Sequence, residues 1–433
     1  MSIAKIKRNM LKNIINKCRW IPAFLLVLTF CGCEGWFGKN RKREYDDVLI
    51  YYAAGYNSLS SFLKGDFNDL KKGYIPRDAN GEDVLIAYVH VKTSDPSPVL
   101  LRLYRDRHDK LVTDTLAVYD KSTISSSAAQ LGKVLSSVNE KFPAKRYGMI
   151  FSSHSTGYLP AGYYTGSKEY EADRMARTGV PPVSGDLNPV PYREPDYGPD
   201  SPLTKSIGQD AVGNLSYEME LSEFASAIPM YMEYIMFDTC LMGGIEVAYE
   251  LKDICGKIGF SQAEVLAEGF DYTKLTRHLF LNDVPRPEKV CEDYFLYYDA
   301  QTGLERSATI SCVDCGRLGS LAQVCSGLFS KYADSISQVD PGKVQRYFRS
   351  NYHWFYDLKS ILVEAGIDAA ELKSLEDALN ECIIYKAATP SFIGSFDIEV
   401  FSGFSMFLPS NGGARLKEFY RTLEWNMDTG LVR

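Results

Sequence analysis

Apolar residues gather in short unbroken runs separated by helical spacings, and this rhythm sets the expected fold. The segments 46–54 (DDVLIYYAA), 83–91 (DVLIAYVHV), 99–104 (VLLRLY), 147–153 (YGMIFSS) and 234–237 (YIMF) read as strands. Continuous apolar runs rich in β-branched and aromatic residues mark strands covered on both faces. A short edge strand is expected at 115–119, and another strand opens at 257–260. Helical patterns fill 57–70, 125–142, 220–227 and 242–251; a run of serines caps the second, and the third is capped near Ser216. Beyond 286, helices are expected at 287–298, 318–337, 341–364 and 369–385, with strands at 308–313 and 399–408. Alternating strands and helices argue for an α/β fold: a mostly parallel sheet between two helical layers, with a largely helical C-terminal region. Functional residues of such sheets gather at the carboxyl ends of the strands.

The stretch 155–210 breaks the rhythm. It is rich in Gly, Pro, Tyr and Asp and reads as a long loop, a feature that in compact domains is usually functional.

Charge is placed unevenly along the 433 residues. The first twenty hold Lys5, Lys7, Arg8, Lys12, Lys17 and Arg19 and no acid; removing these six positives takes the formal charge from −7 to −13. An acidic body argues against nucleic acid as a partner, since phosphate binding relies on Lys and Arg. The basic stretch precedes ten apolar residues, IPAFLLVLTF, which form a signal-peptide core too short to span a bilayer. Cys31-Gly32-Cys33 follows, which resembles a bacterial lipoprotein signal, with Cys33 as the lipidated residue. The expected organisation is a signal peptide at 1–33, a polar tether at 34–46, a catalytic domain at 47–285 and a C-terminal α/β extension at 286–433. The chain would be exported and held to the cell envelope by its lipid.

Seven cysteines follow the signal region, so at least one stays unpaired. Cys312-Val-Asp-Cys315 is a lone CxxC in a strand pattern, without a second CxxC or a nearby His pair; it reads as structural, and no metal is expected.

Two strand ends carry the candidate chemistry. Of five histidines, only His154 sits at a strand end, in SHSTG; His90, His108, His278 and His353 lie in a strand, a charged turn, a helix and an aromatic cluster. Cys240 follows YIMFDT and precedes LMGG, where a helix is expected to start; a helix N-terminus favours thiolate. Asp238 shares the face of Cys240, because side chains alternate along a strand. A carboxylate there suits an arginine guanidinium or a lysine ammonium.

Together these blocks resemble the clostripain family of cysteine peptidases, in the caspase-like clan. Further resemblance lies in 51–59 (YYAAGYNSL), 261–272 (SQAEVLAEGFDY) and 404–409 (FSMFLP), so it extends from about residue 46 to the C-terminus. It implies an αβα sandwich and a cysteine endopeptidase that cleaves polypeptides after Arg or Lys. It assigns His154 and Cys240 as the catalytic pair, with oxyanion donors on the backbone of Cys240 and Ser155. It places Asp238 at a pocket floor, with Ser261 and Glu264 along the substrate cleft. No cofactor is implied, although some relatives use calcium. Some relatives are activated by cleavage after a basic residue between the His and Cys blocks, where this chain has Lys168, Arg174, Arg177, Arg193 and Lys205. One departure stands out: the family usually has glycine after the histidine, and here it is Ser155. If that turn needs positive φ, the departure favours an alternative, a surface lipoprotein that keeps the peptidase fold and binds peptides without cleaving them.

Overall fold

The computed structural model describes residues 44–78, 81–161, 163, 210–212, 215–349 and 353–433. The expected signal peptide, most of the tether and most of the 155–210 loop lie outside the described residues, as do Cys33, Lys168, Arg174, Arg177, Arg193 and Lys205. Residues Glu44–Arg433 form one compact unit.

Its centre is a nine-stranded sheet. The strands are β1 (Tyr45–Gly55), β2 (Asp83–Val91), β3 (Val99–Arg105), β4 (Leu111–Val118), β5 (Ala144–Ser152), β6 (Met232–Asp238), β7 (Cys255–Phe260), β8 (Thr309–Asp314) and β9 (Ile383–Ala388). They lie in the order β9-β8-β7-β6-β5-β1-β2-β3-β4. The five central strands, β7 to β2, run parallel, and the neighbours on both flanks pair antiparallel. The centre is the most apolar part: every residue of β1 from Asp47 to Gly55 is buried. A fully buried Leu or Ile there stabilises the fold by roughly 1.5–3 kcal/mol.

Alternation along β1 shows how the two faces are covered. Tyr51 packs edge-on against Tyr272 and stacks with Phe67 of helix α1 (Ser60–Leu70). Its neighbour Tyr52 points the other way, stacks on Tyr88 and Phe151, and donates a 2.8 Å hydrogen bond to the carbonyl of Ser125. Ser125 leads into helix α2 (Ala128–Lys141), whose Gln130 donates to the Tyr88 hydroxyl. Helices α1 and α2 therefore cover opposite faces, as the αβα expectation requires.

Several elements differ from the sequence reading, each for a local reason. The first strand opens at Tyr45, so the end of the expected tether already belongs to the sheet. Helix α3 (Leu221–Ser226) is capped by a Glu220/Glu223 capping box rather than near Ser216, which lies in a short hairpin strand, Leu215–Tyr217. The 318–337 helix breaks at Tyr332 into Leu318–Lys331 and Ala333–Ile336. Among the described residues of 341–364, helix is confined to a single 3-10 turn at Pro341–Lys343 and to Leu358–Glu364. The 369–385 pattern stops at Cys382, and Ile383–Ala388 becomes the sheet edge. Of 399–408, only Ser405–Met406 pairs as a strand. There Gly403 has φ +99, and the Ser402 N–H is taken by the Asp357 carboxylate at 2.7 Å, which breaks the run.

Candidate active site

Strands β5 and β6 are neighbours, and their register sets the site. Ser152 lies opposite Asp238 at the carboxyl ends of the pair, so His154 and Cys240 each follow two residues beyond a shared level. The Ser152 hydroxyl donates to Asp238 Oδ2 at 2.9 Å. The two turns are tied directly, because the Ser155 hydroxyl donates to the carbonyl of Cys240. The expected convergence of the two strand ends is thus present.

The turn after Cys240 is tight. Leu241 adopts φ +62, a left-handed conformation that costs a non-glycine residue roughly 1–2 kcal/mol. It is held there by its N–H on the carbonyl of Ala263 at 2.9 Å, and the Gly243 N–H binds the carbonyl of Ser261 at 2.7 Å. A side chain on Gly243 would meet the Gln262 backbone nitrogen at 2.6 Å. On the histidine side, Gly157 has φ +64 and sits where a Cβ would come within 2.6 Å of the Leu241 carbonyl oxygen. Ser155 itself is not in the left-handed region. The turn therefore does not need glycine after the histidine, and the serine adds a bond that glycine could not make.

The helix expected directly after Cys240 begins later, as α4 (Ile245–Glu250). Cys240 is not in its first turn and draws no direct benefit from its N-terminus. A backbone donor takes that place: the Val265 N–H points at Cys240 Sγ, 3.1 Å away. Cys240 is completely buried. The Val265 backbone is thus in direct contact with the sulfur.

His154 is buried, and its Nε2 lies 3.1 Å from the hydroxyl of Ser58, an exposed residue in the turn after β1. Ser58 was not singled out from the sequence; its signal was its place in YYAAGYNSL. A small cavity of 70 Å³ beside His154 is lined by Ser153, Phe224, Phe237 and Thr239.

Asp238 is fully buried. Besides Ser152 it accepts a 2.7 Å hydrogen bond from Tyr272. Burial pushes the hydroxyls of Tyr51, Tyr272, Tyr294 and Tyr298 well above the usual tyrosine range, and the nearby Asp238 carboxylate adds to it. Tyr272 also lines a 360 Å³ cavity whose other walls include Asp66, Asp69, Glu268 and Asp271. Asp238 lines neither cavity and sits behind Tyr272.

Ser261 and Glu264, expected along the cleft, are wholly buried and have internal partners. The Ser261 hydroxyl lies 2.8 Å from that of Thr309. Glu264 forms an ion pair with Arg349 at 2.9 Å, and both side chains are essentially without solvent exposure. All seven described cysteines, including Cys312 and Cys315, are buried and outside any disulfide. Among the described residues, no group of three or more His, Cys, Asp or Glu is placed to hold a metal ion.

The sequence model of the clostripain family matches residues 51–175 and 195–430, which is most of the chain. The chain belongs to the clostripain family of cysteine peptidases. Solved structures agree on the fold. An inactive zymogen C11 protease from Parabacteroides distasonis is 23% identical, with a TM-score of 0.69 over 89% of this chain and 99% of that one. The secreted C11 cysteine protease iotapain of Bacteroides thetaiotaomicron is 22% identical, with a TM-score of 0.67 over 89% of this chain and 100% of its own. A secreted C11 protease from the same organism, in complex with an irreversible peptide inhibitor, is 21% identical with a TM-score of 0.67, over 89% of this chain and 99% of its own. No curated protein sequence matches the chain. The clostripain-family fold is thus the mostly parallel sheet and two helical layers described above.

Proposed function

We propose that this clostripain-family protein is an endopeptidase that cleaves polypeptides after Arg or Lys, with Cys240 as nucleophile. The observation that carries this reading is the register of Ser152 with Asp238, which brings His154 and Cys240 to adjoining strand ends beside a buried carboxylate. In the reaction, the Cys240 thiolate attacks the scissile carbonyl and His154 protonates the leaving amine. The backbone N–H groups of Cys240 and Ser155 hold the oxyanion. Water then releases the acyl group.

The preference for a basic residue rests on the carboxylates around Tyr272. Asp66, Asp69, Glu268 and Asp271 line the cavity, and Asp238 stands behind it. A guanidinium or ammonium entering there meets negative charge from several sides. Iotapain is described as secreted; with the basic, apolar and Cys33 sequence of the N-terminus, this supports export and a lipid anchor for this chain too. No metal is needed for the thiol chemistry.

A second reading, a peptide-binding lipoprotein without turnover, is favoured by the burial of the Cys240 sulfur. Fluorogenic peptides ending in Arg, Lys, Asp or Leu separate the two. The peptidase reading expects turnover of the Arg or Lys peptides, after trypsin or calcium treatment where needed, and its loss in Cys240→Ala. No turnover under any of these conditions supports the binding protein.

A further inference from the structure

The segment that follows β7 lies across the nucleophile. Its first part is fixed to the sheet: the Ala263 N–H binds the Thr309 hydroxyl at 2.9 Å, and the Ala263 carbonyl accepts from Leu241. Its far end turns at Gly269, which has φ +62 and whose carbonyl accepts from Tyr298 at 3.0 Å. Between these anchors, Val265 places its N–H on Cys240 Sγ at 3.1 Å, with its own carbonyl 3.8 Å from the sulfur. Val265 and Leu266 are buried, and no part of Cys240 reaches solvent. The Val265 contact occupies one side of the sulfur.

The neighbouring residue holds this arrangement. Glu264 is paired with Arg349, whose Nε lies 2.9 Å from one carboxylate oxygen and 3.1 Å from the other. The two side chains are 0% and 1% exposed. Removing one partner of a buried ion pair weakens the hold on the other. Arg349 belongs to the C-terminal half, 85 positions along the chain from Glu264.

We propose that residues 264–266 form an inhibitory cover over the nucleophile, and that the Glu264–Arg349 ion pair is its latch. Releasing the latch lets the cover swing between its anchors at Ala263 and Gly269 and opens the sulfur to substrate. The cover regulates the site proposed above and so rests on Cys240 being its nucleophile, but its test does not depend on turnover.

The test is alkylation by iodoacetamide, followed residue by residue with mass spectrometry in the full chain. Cys255, Cys291, Cys312 and Cys325 are buried elsewhere and report on general loosening. In Arg349→Met and Glu264→Gln, Cys240 is expected to react about tenfold faster or more than in the native chain, while the four reporters stay slow. Hydrogen exchange of the Val265 amide in the native chain serves where a variant does not fold; it should open well below the global unfolding free energy. Equal Cys240 rates in native and folded variant chains, acceleration of all five thiols together, or Val265 exchange only through global unfolding would each overturn the latch.

Discussion

The hydroxyl of Ser155 donates to the carbonyl of Cys240 and so joins the turn after His154 to the turn at Cys240. Glycine, expected at this place by family resemblance, leaves the two turns tied only through backbone contacts. In the proposed mechanism the two loops must keep one geometry for His154 to protonate the leaving amine. Ser155→Ala is expected to lower kcat/KM on Arg peptides about three- to tenfold, the worth of one neutral hydrogen bond. The melting temperature should move little, because Ser155 is partly exposed. Steady-state kinetics beside a thermal melt checks this.

Ser58 holds the other side of the imidazole through Nε2. Ser58→Ala removes the hydroxyl that Nε2 contacts. A loss of about three- to tenfold in kcat, with KM unchanged, is expected. The split between kcat and KM is a readout that a loss of stability alone would not give. Ser58→Thr keeps the hydroxyl and should restore kcat.

Tyr272 shields Asp238 and donates one of its two described side-chain hydrogen bonds. Tyr272→Phe removes the donor from a fully buried carboxylate. A destabilisation of about 1–3 kcal/mol is expected in denaturant titration. Selectivity for Arg over Leu peptides should change with it, since the hydroxyl stands between Asp238 and the acidic cavity.

Glu246, in the first turn of α4, accepts from the Phe407 N–H at 2.8 Å and the Tyr420 hydroxyl at 2.7 Å. Burial is the larger effect and raises its carboxyl from 4.5 to about 7. The fold thus favours the protonated form. Its contribution is complete below pH 4.5, where both states hold the proton. It declines as pH rises from 4.5 to about 7, because the unfolded chain releases its proton first. Above pH 7 the loss amounts to about 3 kcal/mol. Glu246→Gln removes this dependence, so its melting temperature relative to native should be several degrees more favourable at pH 8 than at pH 5, by roughly 1–2 °C per kcal/mol.

The sequence was most legible where burial leaves no ambiguity. Central strands such as 46–54 and 83–91 are apolar without interruption because helices cover both faces, so few other readings fit. The edge strand Ile383–Ala388 was not legible: it is only half-buried, alternates weakly and continues a helical spacing up to Cys382. Among the described residues of 341–364 the apolar positions imitate a helix, but Tyr347 turns to distant partners and donates to Asp357 at 2.7 Å and to the Val400 carbonyl at 3.0 Å. At the site, the chemistry-bearing types at two strand ends could be read, since a parallel sheet aligns its carboxyl ends. Ser58 could not, because a hydroxyl in a turn has no pattern of its own. Nor could the cover over Cys240, which depends on a carboxylate and a guanidinium far apart in the chain. The helix-start argument for the thiol failed because the left-handed turn at Leu241 delays α4 to Ile245.

The most direct measurement is covalent labelling with peptides that end in a thiol-reactive ketone on Arg, Lys or Asp. The full chain is treated before and after limited trypsin cleavage, and the adduct is located by mass spectrometry. The Arg and Lys reagents should modify Cys240 alone, more readily after cleavage, and the Asp reagent should leave it free. Equal labelling by all three, or an adduct on any other cysteine while Cys240 stays unmodified, would contradict an Arg/Lys-directed peptidase built on this thiol.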